Sequence, residues 1–376
     1  MDMEFDRVAY TVLGAAKYSL DKLRRKPTGS PRDNPQRENP HIVFTFWDAP
    51  TYPQSVALMY ELHSKFGENG LPIGAGLFVR PMGDIKTEDD YSYDPTKLEN
   101  FLRAAAYTYT PVFIITSGMH WTEVAYKKSP LLRMLEASDG NLMRYEDGTR
   151  VQRKLQPPGG FLDGHFGSDR NGVLYLSQLA PEVKRYRERN LDQMAKVVGE
   201  FAGRYPNLFL GISTENEVDY PGKWITGGKK VDGGADNTLR QFTIARVLRR
   251  NVEIFLDAGI PVTRIYTNQS VEDEENRASP LSTANIPDSN IGITAWRTGK
   301  FDLYRRARNL AQERGKRWAL ILTNPLSLDQ RINAEELTAA IECGPDIIGL
   351  YNWWPHFWGY GIRGMPLEKA VQTFTR

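Results

Sequence analysis

Two glutamates separated by one residue, Glu215 and Glu217 in the stretch TENE, stand directly after an apolar run at 208–212. Carboxylates at the end of a buried strand are costly unless they are paired or at work. In a regular strand, residues two apart point to the same side, which would turn both side chains into one cleft with Asn216 facing away. Carboxylates that close repel, so one keeps its proton at a pH where the other is ionised. Such a pair can supply a general acid with a charged partner beside it. The plainer alternative is that Glu215 and Glu217 cap the following segment or pair with Arg80.

The elements that must position them repeat along the chain. Apolar runs at 41–50, 73–81, 111–121, 208–214, 264–270, 290–296, 317–325 and 346–355 read as eight strands, and helix-like segments follow nearly all of them. That alternation predicts a single-domain α/β fold, a (β/α)8 TIM barrel over residues 41–376. Residues 1–40 read as an amphipathic helix and a polar, proline-containing linker. A doubly wound sheet would be expected to carry a glycine-rich phosphate loop after a strand, and none of these strand-like runs carries GxGxxG or GxxxxGK[ST]. No nucleotide cofactor is implied. The stretch from about 122 to 180, after the third strand, is rich in Gly and Asp and predicts a long loop, of the length that usually has a function.

In such a barrel the working residues gather at the C-terminal ends of the strands. Those ends read Trp47–Asp48, Arg80, His120–Trp121, Glu215–Asn216–Glu217, Asn268, Trp296–Arg297, Asn324 and Asn352–Trp353–Trp354. Polar and aromatic residues at all eight ends predict a binding cleft. Arg on the second end, Asn-Glu on the fourth and Trp on the eighth resemble the clan A glycoside hydrolases, (β/α)8 enzymes that cleave glycosidic bonds with retention. The resemblance implies that Glu217 is the acid/base and Asn216 contacts the sugar 2-hydroxyl. It also implies that Arg80 supports the carboxylates and Trp353 floors the subsite of the cleaved sugar. If the chain bends as in that clan, Glu215 lies behind Asn216 and Glu217. The E-x-E pair is also similar to the D-x-E pair of hydrolases whose first carboxylate assists a substrate acetamido group.

The clan's nucleophile is a Glu ending the seventh strand, where this chain has Asn324. An amide cannot form a glycosyl–enzyme ester. The departure leaves an inverting enzyme with another carboxylate as base, an inactivated variant, a barrel that binds sugar without cleaving it, or a slipped alignment; no Glu lies between Gly315 and Ile332. Asp48, Asp219 and Glu272 are the other candidates for the second carboxylate. His120 and His165 are candidates for a sugar hydroxyl. His356, with Trp354, Phe357, Trp358 and Tyr360, would form a stacking wall after the eighth strand.

With 48 basic and 46 acidic residues the net charge is +2, which argues against a dedicated partner among nucleic acids or anionic membranes. The lone Cys343 permits no intrachain disulfide and reads as a buried, inert thiol. Neither HExxH nor CxxC is present, so no metal site is expected. The N-terminal stretch is too charged for a signal peptide or a span, which predicts a cytoplasmic protein unless a leader has been removed. The expected function is hydrolysis of glycosidic bonds in an oligo- or polysaccharide. A silent sugar-binding barrel is the first alternative and a lyase or isomerase the second.

Overall fold

The computed structural model describes residues 39–47, 51–66, 70–117, 129–145, 147–150, 152–153, 173–174, 176–215, 237–270, 289–295, 301–323, 329–351, 353 and 362–375. The expected N-terminal helix and linker, apart from 39 and 40, lie outside these residues. The strands are β1 (His41–Phe46), β2 (Ile73–Val79), β3 (Val112–Thr116) and β4 (Phe209–Ser213), then β5 in two pieces (Ile265–Tyr266 and Gln269–Ser270), β6 (Ile291–Ala295), β7 (Trp318–Thr323) and β8 (Ile347–Leu350). The helices are α1 (Tyr52–Phe66), α2 (Thr96–Thr108), α3 (Pro130–Ala137), α4 (Pro181–Arg204), α5 (Asn237–Asp257), α6 (Phe301–Glu313), α7 (Gln330–Glu342) and α8 (Pro366–Thr375).

Every neighbouring pair in this sheet is parallel, and the order runs β4-β3-β2-β1-β8-β7-β6, with one piece of β5 on each edge. The two pieces of β5 join those edges. Thr214 N donates to Tyr266 O at 2.8 Å on one side, and Thr267 N donates to Asn290 O at 3.0 Å on the other. The sheet therefore closes as an eight-stranded (β/α)8 barrel, the architecture read from the sequence. Among the described residues no helix is long and apolar enough to cross a membrane.

Strand alternation sorts the apolar residues into two layers. Val43, Phe113, Ile115, Ala319, Ile321 and Ile347 fill the barrel interior. Ile42, Phe44, Ile114, Ile212, Ile348 and Leu350 pack outward against the helices. A side-chain carbon at Gly349 would lie 1.8 Å from the Ile321 carbonyl oxygen, so only glycine permits β8 to lie this close to β7 there. The long segment after β3 departs from a plain polar loop. It holds α3 and a two-residue antiparallel ladder, Gln152–Arg153 with Val173–Leu174. Leu131, Leu132, Leu135, Leu142 and Leu176 form a small separate core with Met82 and Val183, which seats the segment between the loop after β2 and the start of α4.

The opposite, N-terminal end of the barrel is closed by a polar cluster. Tyr266 Oη donates to Asp346 Oδ2 at 2.6 Å, Arg317 Nε pairs with the same oxygen at 2.6 Å, and His41 N donates to Asp346 O at 3.0 Å. Burial, then the charges of Arg264 and Arg317, push the His41 pKa down from 6.5 to about 4. The folded state thus holds this imidazole neutral, while the unfolded chain protonates it near 6.5. Its contribution to stability is complete above pH 6.5 and is lost as pH falls toward 4. It amounts to at most roughly 3 kcal/mol, less for the partial exposure of the ring. We expect the urea midpoint to fall across this window, and His41→Asn to flatten that fall. A parent midpoint constant from pH 6.5 to 4 would contradict the assignment.

Candidate active site

The end of β4 is held from both sides. Thr214 N bonds to β5, and the Thr214 carbonyl accepts from Asn251 Nδ2 of α5 at 2.8 Å. Asn251 is 1% exposed, so an amide buried in a helix–strand contact fixes the carbonyl that directly precedes Glu215. Glu215 follows at 1% exposure. The residue is thus buried at the C-terminal end of β4. Asn216 and Glu217 lie outside the described residues, as do Asp48, His120, His165, Asp219, Glu272, Trp296, Asn324, Trp354 and His356.

A buried arginine accompanies Glu215. Arg187, in the second turn of α4, has a side chain 5% exposed; its Nη1 donates to Gln178 Oε1 at 2.9 Å, and its Nη2 lies 3.5 Å from Glu188 Oε1. Burial pulls its pKa down, while the carboxylates of Glu188 and Glu215 pull it back. A guanidinium remains charged under all ordinary conditions. Arg187 therefore adds a permanent positive charge to the electrostatic surroundings of Glu215. Sequence reasoning missed Arg187, although a signal existed. The buried stripe of α4 runs Val183, Arg187, Leu191, Met194 and Val198, with a charge at a position that the helical period assigns to the core. Asn190, on the same face, donates to the Pro81 and Tyr91 carbonyls at 3.0 Å each and ties α4 to the loop after β2.

Arg80, expected beside the carboxylates, leaves the end of β2 and pairs with Asp84 Oδ1 at 3.4 Å; Lys97 Nζ meets the same oxygen at 3.0 Å. Burial and the Asp84 charge push the Tyr93 hydroxyl well above its ordinary pKa in this cluster. The i,i+4 spacing of Arg80 and Asp84 was visible in the sequence.

Aromatic residues line the mouth on the β1, β2 and β8 side. Trp47 packs on Phe78 with centroids 4.8 Å apart, and Tyr351 meets both edge-on at 6.2 and 5.8 Å. Tyr351 is the partly exposed member. Trp353, expected as a sugar floor, lies elsewhere. Its ring is fully buried between the strands and α1, 5.1 Å from Phe44 and 5.6 Å from Phe66, with Lys65 Nζ 5.4 Å from its centroid. Two residues apart in an unbroken strand, Tyr351 and Trp353 would share a side. Here Tyr351 joins the inner cluster and Trp353 the outer one, so the alternation ends after Tyr351. Trp353 N still donates to Thr45 O at 3.0 Å, which keeps the chain on β1. Cys343 is buried, and burial raises its thiol pKa.

The barrel has solved counterparts. It matches the catalytic domain of a β-amylase from Paenibacillus polymyxa with a TM-score of 0.55 and 12% identity, over 90% of this chain and 98% of that one. It matches the exo-β-1,4-mannosidase Op5Man5 from Opitutaceae bacterium strain TAV5 with a TM-score of 0.50 and 12% identity, over 90% of this chain and 59% of that one. No family model and no curated protein matches the sequence. At this identity the likeness is one of fold, and it agrees with the barrel that the strand ends resembled.

Proposed function

We propose that the protein is a glycosidase that hydrolyses glycosidic bonds in an oligo- or polysaccharide, with Glu217 as general acid. One observation carries the reading: a carboxylate, Glu215, is buried at the C-terminal end of β4 directly before Asn216–Glu217. A buried, ionised Glu215 would repel negative charge at Glu217 and so keep a proton there for the leaving oxygen. The fold shared with a β-amylase and an exo-β-1,4-mannosidase supports the same class. Tyr351, flanked by Trp47 and Phe78, offers an aromatic face to a sugar ring, and Asn216 a hydrogen-bond partner to a hydroxyl. Arg80, His120, His165, Trp296, Trp354 and His356 are proposed around the same mouth.

Asn324 shapes the mechanism. With an amide there, the covalent step of a retaining enzyme has no nucleophile at the seventh strand, so water attacks directly and the anomeric centre inverts. The base is proposed among Asp48, Asp219 and Glu272. It should stand about 6.5–9.5 Å from Glu217, against about 5 Å for a retaining pair. Proton NMR of the first product anomer tests this: the inverted anomer is expected, and net retention on a substrate without an acetamido group would overturn it. Asn324 also favours a second reading, a silenced retaining barrel. Turnover that is absent in the parent and created by Asn324→Glu would establish that reading instead.

A further inference from the structure

Four buried polar atoms without a hydrogen-bond partner among the described residues gather at one corner of the fold: Thr116 Oγ1, Thr214 Oγ1, Asn251 Oδ1 and Arg187 Nε. All belong to residues 4% exposed or less. The register that pairs Ile114 with Ile212 and Ile115 with Ser213 brings Thr116 of β3 beside Thr214 at the end of β4, one rung further. Thr214 is still bonded to β5 through its N–H. Ile114 and Ile212 pack outward, so Thr116 and Thr214, two residues further along each strand, turn to the helix layer. Asn251 of α5 meets them there. The Thr214 carbonyl can only accept, so Asn251 Nδ2 is the atom bonded to it at 2.8 Å, and Oδ1 is left over. Arg250, next to Asn251, holds Glu188 Oε2 through its Nε at 3.1 Å, and Glu188 Oε1 stands 3.5 Å from Arg187 in α4. Arg187 also lies within electrostatic reach of Glu215, the residue after Thr214.

We infer that this corner, between α4, α5 and the ends of β3 and β4, is an internal hydration site whose buried waters bond the four unpaired atoms. Leaving four buried polar groups unsatisfied would cost an amount comparable with the whole net stability of a domain. Partners are therefore required, and the mixture of groups decides which. Arg187 Nε–H can only donate, Asn251 Oδ1 can only accept, and the two hydroxyls do both. Water matches such a set, since a buried water both donates and accepts. An anion would be held off by Asn251 Oδ1 and the Glu188 carboxylate, and a cation by Arg187. With Asn251 bonded to the Thr214 carbonyl and water to its hydroxyl, the residue before Glu215 is fixed from two directions. The hydration site is independent of what the barrel cleaves.

Valine has nearly the shape of threonine, so the sign of its effect makes the test. If the hydroxyls are simply unpaired, Thr116→Val and Thr214→Val each remove a buried unsatisfied group and raise the urea midpoint of the full chain. If water bonds them, each change takes a partner from that water, and the midpoint falls. A fall is expected in both. In the double variant it should be smaller than the sum, because one group of waters serves both side chains. Oxygen-17 magnetic relaxation dispersion counts long-lived internal waters in solution, and the double variant should hold fewer than the parent. A midpoint that rises in both single variants, or a water count unchanged in the folded double variant, overturns the proposal. Where the double variant does not fold, crystals of the parent decide. Ordered water within hydrogen-bond distance of Arg187 Nε and Asn251 Oδ1 is expected, and a dry corner overturns the site. A parent midpoint that climbs with chloride but not with gluconate at equal ionic strength would place an anion at Arg187 and overturn water as the ligand.

Discussion

Glu217→Gln is expected to lower turnover of the protein's glycan by roughly 10²–10⁴-fold while leaving sugar affinity within a few fold. An amide keeps the size and a hydrogen-bonding capacity of the side chain and removes only the transferable proton. The loss should therefore fall on kcat, and kcat/KM should drop in parallel. Substrates with good leaving groups need little protonation, so an aryl glycoside should suffer far less than the natural linkage. A uniform loss on both substrates would place the defect in binding or folding instead. Full activity on the natural glycan would remove Glu217 from the acid position. The role assigned to Glu215 makes a companion expectation: Glu215→Gln should lower the alkaline limb of the pH profile, because the charge that holds the proton on Glu217 is gone.

Trp353→Ala is expected to cost about 3–5 kcal/mol of stability, the usual range for a large aromatic removed from a core. The ring meets Phe44 and Phe66 edge-on, these two being stacked on each other at 4.5 Å, and it lies under Lys65, which is tied to Glu368 at 2.7 Å. Its buried Nε1–H has no hydrogen-bond partner among the described residues. Trp353→Phe should accordingly cost much less than Trp353→Ala, since it keeps part of the volume and removes an unsatisfied donor. Tyr351→Ala is expected to do the reverse, with a raised KM and a smaller loss of stability. Urea unfolding and steady-state kinetics on the three variants separate the roles. If Trp353→Ala stays within 1 kcal/mol of the parent but binds sugar poorly, the ring works in the cleft.

The barrel was legible because its signal is repeated. Eight apolar runs followed by helical segments leave few ways to bury both faces of a parallel sheet, and each strand lies within the run that announced it. The two-piece β5 is the weakest case. Its run, RIYTNQS, is short and polar at its end, and hydrogen bonds from Thr214 and Thr267 complete the closure. α3 went unread because LLRMLEA is one short apolar island in a Gly- and Asp-rich stretch. It becomes a helix by packing on Met82 and Val183, far from it in sequence.

The sequence by itself determined the strand–helix alternation, the positions of the strand ends and the presence of carboxylates at the fourth of them. Those depend on local periodicity, which survives without tertiary contacts. Only the tertiary structure decided which side each end residue takes and what it meets. Tyr351 joins the inner cluster and Trp353 the outer one, although two residues apart in a regular strand would share a side. Arg80 goes to Asp84, whose carboxylate Lys97 also meets. Glu215 comes under the charge of Arg187, which stands 28 residues earlier in the chain. Apart from local pairs such as Arg80 and Asp84 at i,i+4, partnership between charges is a matter of distance through a folded, low-dielectric interior, which spacing along the chain does not encode.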